Sequence, residues 1–173
     1  EFSHSAIDLA ARGDTKETAA RFSTEQALRG VALEDCQRAK ADAEYGLKIG
    51  VGRASLPRAA LALAWCGEED QVKRLTDELI KRYPEDTVIN SIWLPTIRAA
   101  IVLQTNAARA INHLQSTSSY EAAAEFWPQY LRGLAYSLKA QGQTANHLGA
   151  QKHLREAVRL DPKFALAWAL LSN

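Results

Sequence analysis

One pattern written three times constrains this chain more than any other feature. Gly67 stands a short way ahead of Pro84, Thr105 holds the corresponding place one interval later, and Gly142 holds it again. The spacing of roughly 37 residues falls among the helical-repeat periods. Ahead of each marker runs an apolar stretch at helical spacing: Leu56, Ala60 and Leu63; then Leu94, Ile97 and Ile101; then Leu131, Leu134, Ala135 and Leu138. Behind each runs a second stretch: Val72 and Leu79, then Ala110 and Leu114, then Ala150, Leu154 and Ala157. A unit of two short helices cannot bury its apolar faces alone, so copies must stack. Such stacks expose long surfaces, and the work expected of them is binding.

Prolines punctuate the pattern. Pro57, Pro95 and Pro128 open or interrupt the leading helices, where a residue without an amide proton is tolerated in the first turn. Pro84 stops a trailing helix, because proline disfavours helical geometry in the residue before it. The earliest pair, over Thr15–Leu33 and Glu34–Ile49, is less regular: Ala19, Phe22, Ala27 and Gly30, then Ala39, Ala43, Tyr45 and Leu47, are expected to face inward. Ser116–Tyr120 is the most polar stretch and reads as a loop or hinge. Asp161-Pro162 opens a last helix carrying Phe164, Leu166, Trp168 and Leu171. No segment alternates apolar and polar residues long enough to form a strand, so the predicted class is all-α. The expected organisation is one domain over 1–173, with units 15–50, 54–84, 87–117 and 121–162 and a partial unit 163–173.

Charge and composition exclude several classes. Lys plus Arg total 21 against 20 Asp plus Glu, and a net charge of +1 offers no global attraction to nucleic acid or anionic membranes. The longest uncharged apolar run, Ala59–Cys66, falls far short of the roughly 18 residues a membrane span needs. The chain lacks methionine, even at position 1, and has no charged-then-apolar leader, so it is expected to be a piece of a larger protein. A cytoplasmic setting is the expectation, and an extracytoplasmic one follows if the parent is a membrane-anchored kinase. Cys36 and Cys66 lack CxxC spacing and have no histidine at metal-ligand distance, and Cys66 reads as a small buried side chain. His4, His113, His147 and His153 form no i, i+4 pair and no HExxH, so no metal is expected. Gly50-Val51-Gly52-Arg53-Ala54-Ser55 reads as an inter-helix turn: a phosphate loop would have a preceding strand and a Lys-Ser/Thr ending. With no GxSxG and no kinase signature, the expectation is a protein that is not an enzyme and needs no cofactor.

Leu131, Leu134, Ala135, Leu138, Gly142, Ala150, Leu154, Ala157 and Pro162 follow the tetratricopeptide pattern, apart from about three extra residues in the turn. The Gly67 and Thr105 units match it more loosely, with Arg98 standing where a small residue is usual. The chain therefore resembles a tetratricopeptide repeat. The words Tyr83-Pro84-Glu85-Asp86-Thr87, Trp93-Leu94-Pro95-Thr96-Ile97-Arg98-Ala99-Ala100 and Tyr130-Leu131-Arg132-Gly133-Leu134-Ala135-Tyr136 are similar to the helical region that follows the kinase domain in some large bacterial serine/threonine protein kinases. These resemblances imply a right-handed α-solenoid of antiparallel helix pairs, serving as a non-catalytic arm of a signalling or regulatory protein. They also imply that the first helix of each unit lines a concave face. In the Gly142 unit that face offers Gln129, Arg132, Tyr136 and Lys139. In the earlier units it offers Leu61, Ala64, Trp65, Ala99, Val102 and Leu103, so the groove there is either closed by stacking or filled by an apolar segment.

Arg98 and Arg132 each follow a proline by a few residues on an apolar helix. A buried arginine must be paired, so each either pairs internally with a carboxylate such as Glu121 or reaches a peptide carboxylate in the groove. Trp65, Trp93, Trp127 and Trp168 read as packing between repeats rather than as an aromatic cage. The expected partner-binding set is Trp65, Arg98, Gln129, Arg132, Tyr136 and Lys139, facing a protein or peptide. The rival is a helical small-molecule-binding or enzymatic domain using an apolar channel near Trp65 and Trp93. Phe164, Trp168 and Leu171 would form an uncovered stripe through which copies associate.

Overall fold

The computed structural model describes residues 5, 7–10, 15–120, 125–139 and 144–163, with side chains from 149 onward in the last range. All regular structure among the described residues is helical: α1 (Lys16–Ala32), α2 (Cys36–Ile49), α3 (Ser55–Trp65), α4 (Glu69–Arg82), a π-helical turn (Ile89–Trp93) running into α5 (Leu94–Val102), α6 (Ala107–Gln115), a 3₁₀ turn (Ser116–Tyr120), α7 (Trp127–Lys139) and α8 (Thr144–Leu160). Each expected unit, 15–50, 54–84, 87–117 and 121–162, holds two α-helices. The chain divides into two compact units, Glu1–Pro84 and Glu85–Asn173. Among the described residues no helix is long and apolar enough to cross a membrane.

In the first unit local chemistry sets the helix ends. Asp35 caps α2 by accepting the Arg38 amide at 3.0 Å. Gly67, with φ of 79°, closes α3: its amide bonds Ala64 O at 3.2 Å and that of Glu68 bonds Leu63 O at 3.0 Å. This is the Schellman arrangement that favours glycine. Glu34, with φ of 62°, closes α1 in the same way, the Asp35 amide reaching Gly30 O at 3.0 Å.

The α1–α2 contact is made by small residues. Ala19, Ala20, Ser23, Thr24 and Ala27 of α1 are buried, as are Ala39, Ala43 and Gly46 of α2. A Cβ on Gly46 would lie 2.7 Å from Thr24 Cγ2 and 3.0 Å from the Ala20 carbonyl. Backbones this close leave no room for rings, which corrects two expectations: Phe22 is 52% exposed and Tyr45 38% exposed. Tyr45 instead turns outward and donates to Asp8 Oδ1 at 2.6 Å. Ser23 Oγ donates to Asp42 O at 2.7 Å across the same contact.

Helix α3 is buried on every side from Ser55 to Ala64, because it packs against α1, α2 and α4. Leu61 and Ala64 are therefore closed off. Arg58 is buried with them: its Nε lies 3.3 Å from Glu25 Oε2 and its Nη1 donates to Ala54 O. Cys36 and Cys66 form a disulfide, with Cα atoms 5.6 Å apart. This corrects the reading of Cys66 as a small buried side chain: it is half-buried and bonded, since the fold brings the first residue of α2 to the end of α3.

In the second unit Pro95 cannot donate the amide that would continue a helix from α5 backward, and the preceding turn widens to the π form, with the Leu94 amide on Ile89 O. Ile92, Trp93, Leu94, Ile97, Ala100 and Leu103 form its core together with Ala110, Leu114, Trp127, Leu131, Ala135, Leu154 and Ala157. Gly133 lets α7 approach α8, where a Cβ would lie 2.7 Å from Leu154 Cγ. The expected Ser116–Tyr120 loop is instead a 3₁₀ turn that buries Thr117. Gly142, Glu121, Phe164, Trp168 and Leu171 lie outside the described residues.

Candidate functional site

The end of α6, the 3₁₀ turn, α7 and α8 build the site in the second unit. Arg132 stands at its base, only 5% exposed. Its Nη2 donates to Leu114 O at 2.5 Å and to Thr117 Oγ1 at 2.7 Å, while Nη1 faces Gln129 Oε1 at 3.4 Å. The guanidinium thereby satisfies a carbonyl at the last turn of α6, where a cation also complements the helix dipole. Arg132 is an internal strut, and it braces the α6 end rather than projecting into an open groove. Gln129 is fully buried beside it.

Gln129 Oε1 also lies 2.9 Å from His153 Nδ1. Arginine can only donate, so the Gln129 oxygen it faces is the acceptor for both neighbours, and His153 Nδ1 is the donor to it. The His153 ring stacks on Tyr136 with centroids 5.4 Å apart and planes at 14°. Arg132, Gln129, His153 and Tyr136 thus form a chain from buried charge to half-buried aromatic surface, each member holding the next.

Above this chain opens a cleft of about 190 Å³, lined by Ile111, Gln115, Ser118, Arg132, Tyr136 and His153. Its volume is below the ~300–1,000 Å³ of pockets that enclose drug-sized ligands. It suits one side chain. Sequence reasoning identified Arg132 and Tyr136 but missed Ile111, Gln115, Ser118 and His153. The histidine had a findable signal, lying on the same face of α8 as the apolar Ala150, Leu154 and Ala157.

The other expected site residues are dispersed. Lys139 is exposed at the last residue of α7. Trp65 is half-buried at the end of α3, in the first unit, whereas Trp93 is 6% exposed in the second. Ala99 and Leu103 are buried and so offer no open groove surface, while Val102 is half-buried. Arg98 is exposed, which corrects its reading as a buried arginine: it lies on the solvent side of α5, whose apolar side carries Ile97 and Ala100. On α6, His113 is held below the ordinary histidine pKa, first by burial and then by the positive charges of Arg109 and Arg98.

Among the described residues no group of His, Cys, Asp and Glu side chains could hold a metal ion. The Gly50–Ser55 turn is occupied by its own contacts: Ser55 Oγ accepts the Gly52 amide and donates to Gly50 O, both at 2.9 Å. Neither a protein-family model, nor a curated protein, nor a solved structure matches this chain.

Proposed function

We propose that the chain is a non-catalytic interaction module, a right-handed solenoid of tetratricopeptide-like helix pairs that serves as the scaffold or sensory arm of a bacterial signalling protein and binds a peptide or protein segment. The observation that carries this reading is the repeated packing scheme. Within the first unit α1 packs on its partner α2 and also on α3, the leading helix of the next pair; within the second, α5 packs on α6 and also on α7. Contact between successive leading helices is what stacking of repeats requires.

The cleft supplies the recognition element. Its Tyr136–His153 platform offers a rigid aromatic surface with few rotatable bonds to immobilise, and its floor is preorganised by Arg132 and Gln129. A volume fitting one side chain favours a peptide anchor over a small-molecule substrate. The Cys36–Cys66 disulfide supports an oxidising compartment, since cytosolic reductants keep such pairs reduced; in that setting the module is the extracytoplasmic part of its parent.

A peptide array probed with the full chain, alongside thermal shifts against a small-molecule library, tests the proposal. Peptide capture that is lost in Tyr136→Ala with unchanged helical circular dichroism supports it. Stabilisation by a small molecule with no peptide captured returns the rival, a helical ligand-binding or enzymatic domain.

A further inference from the structure

Between Asp86 and Glu121 the chain carries no carboxylate side chain, although this segment supplies α5, α6 and the 3₁₀ turn. Its charges are Arg98 on α5 and Arg109 on α6, with His113 one turn beyond Arg109 on the same helix face. Arg98 and Arg109 are exposed, and neither guanidinium makes a hydrogen bond or ion pair with a described residue. Elsewhere the chain often places a carboxylate one turn from an arginine: Glu25 for Arg29, Asp42 for Arg38, Glu78 for Arg82 and Glu156 for Arg159.

Of the elements packed against α6, α5, α7 and the 3₁₀ turn carry no carboxylate. Helix α5 brings Arg98, α7 brings Arg132 and Lys139, and the 3₁₀ turn brings only the Tyr120 phenol. Both arginines are near enough to His113 for their charge to oppose its protonation. Ile111 and Gln115 line the cleft, and helical geometry puts Arg109 and His113 on the other side of α6. The cationic face and the cleft are therefore separate surfaces of one unit.

We propose that the α5–α6 face of the second unit docks an acidic segment of a partner protein, its carboxylates held by Arg98, Arg109 and, once protonated, His113. This rests on the reading of the chain as an interaction module. Exposed charges carried on two helices suit several spaced carboxylates better than one compact ion. Arginine engages each through charge-assisted, often bidentate hydrogen bonds. An arriving carboxylate also opposes the field of the two arginines at His113, so docking takes up a proton and tightens as pH falls.

The test follows the His113 ring by NMR between pH 5 and 8 in the full chain, with three probes: a twelve-residue glutamate-rich peptide, its glutamine counterpart, and inorganic phosphate. The glutamate peptide should raise the His113 pKa and bind about tenfold or more weakly to the R98Q/R109Q double variant, a loss of roughly 1.4 kcal/mol. The glutamine peptide should do neither. Both arginines are exposed, so the double variant keeps its circular dichroism. The proposal is overturned if the glutamate peptide leaves His113 unmoved, if it binds the double variant as tightly, or if phosphate moves His113 as far at equal concentration. A neutral peptide captured through Tyr136 while His113 stays unmoved overturns this proposal and leaves the interaction module standing.

Discussion

Replacing both Cys36 and Cys66 with serine removes the disulfide that ties the start of α2 to the end of α3. The bond closes a loop with a sequence separation of 30 residues. In the chain-entropy description, a loop of that length restricts the unfolded state by an amount equivalent to about 3.6 kcal/mol at 25 °C. A single domain has about 5–15 kcal/mol in total, so the loss takes a large share of the first unit's stability. It should lower the melting temperature by roughly 15–30 °C for a unit of this size. The folded contacts across the junction survive, because Lys40 still pairs with Glu68 and α3 still packs on α2. The expected phenotype is therefore a native-like variant that opens more readily. Amide hydrogen exchange at α2 and α3 reads it directly, and the wild-type protein in dithiothreitol should behave as the double variant does. Equal exchange protection in wild type and variant would refute the reasoning. So would two titratable thiols in native protein purified from an oxidising compartment.

Three further outcomes are expected. Glu34→Gly should stabilise the chain by about 1 kcal/mol, because Glu34 holds a left-handed conformation that costs a side-chain-bearing residue roughly that much; a midpoint in urea that does not rise argues against the cap. Arg132→Ala should destabilise by about 2–4 kcal/mol, since it removes the buried, charge-assisted donor shared by Leu114 O, Thr117 Oγ1 and Gln129 Oε1 and leaves a void in its place, and the joint Arg132→Ala, Lys139→Ala variant should fail by unfolding rather than by losing partner contacts on an intact fold. For pH, the folded His113 pKa lies below its unfolded value, so the unfolded chain binds the proton first. Stability should be constant above about pH 6.5 on this account and fall as pH drops through the interval between the two values. His113→Gln should remove that part of the decline, as urea titrations at pH 5.5 and 7.5 would show.

The helix pairs were legible in the sequence because their causes are local. An apolar residue every third or fourth position, a proline in a first turn and a glycine after a last turn act within one helix, and Leu56–Leu63, Pro57 and Gly67 carry those signals unaided. The cleft was half legible: Arg132 and Tyr136 share an α7 face, but Gln115, Ser118 and His153 reach them from other elements. Arg98 and Arg132 look alike in sequence, each a few residues beyond a proline on an apolar helix. Tertiary structure separates them, because the end of α6 supplies Leu114 O and the 3₁₀ turn supplies Thr117 Oγ1 to Arg132, while Arg98 is left exposed on α5. Phe22 was misplaced because periodicity ranks residues by apolarity, whereas the α1–α2 contact selects by size and seats alanine, serine, threonine and glycine where backbones nearly touch. The disulfide was invisible for the same kind of reason. Spacing along the chain says nothing of distance in space, and only the packing of α2 on α3 brings Cys36 to Cys66.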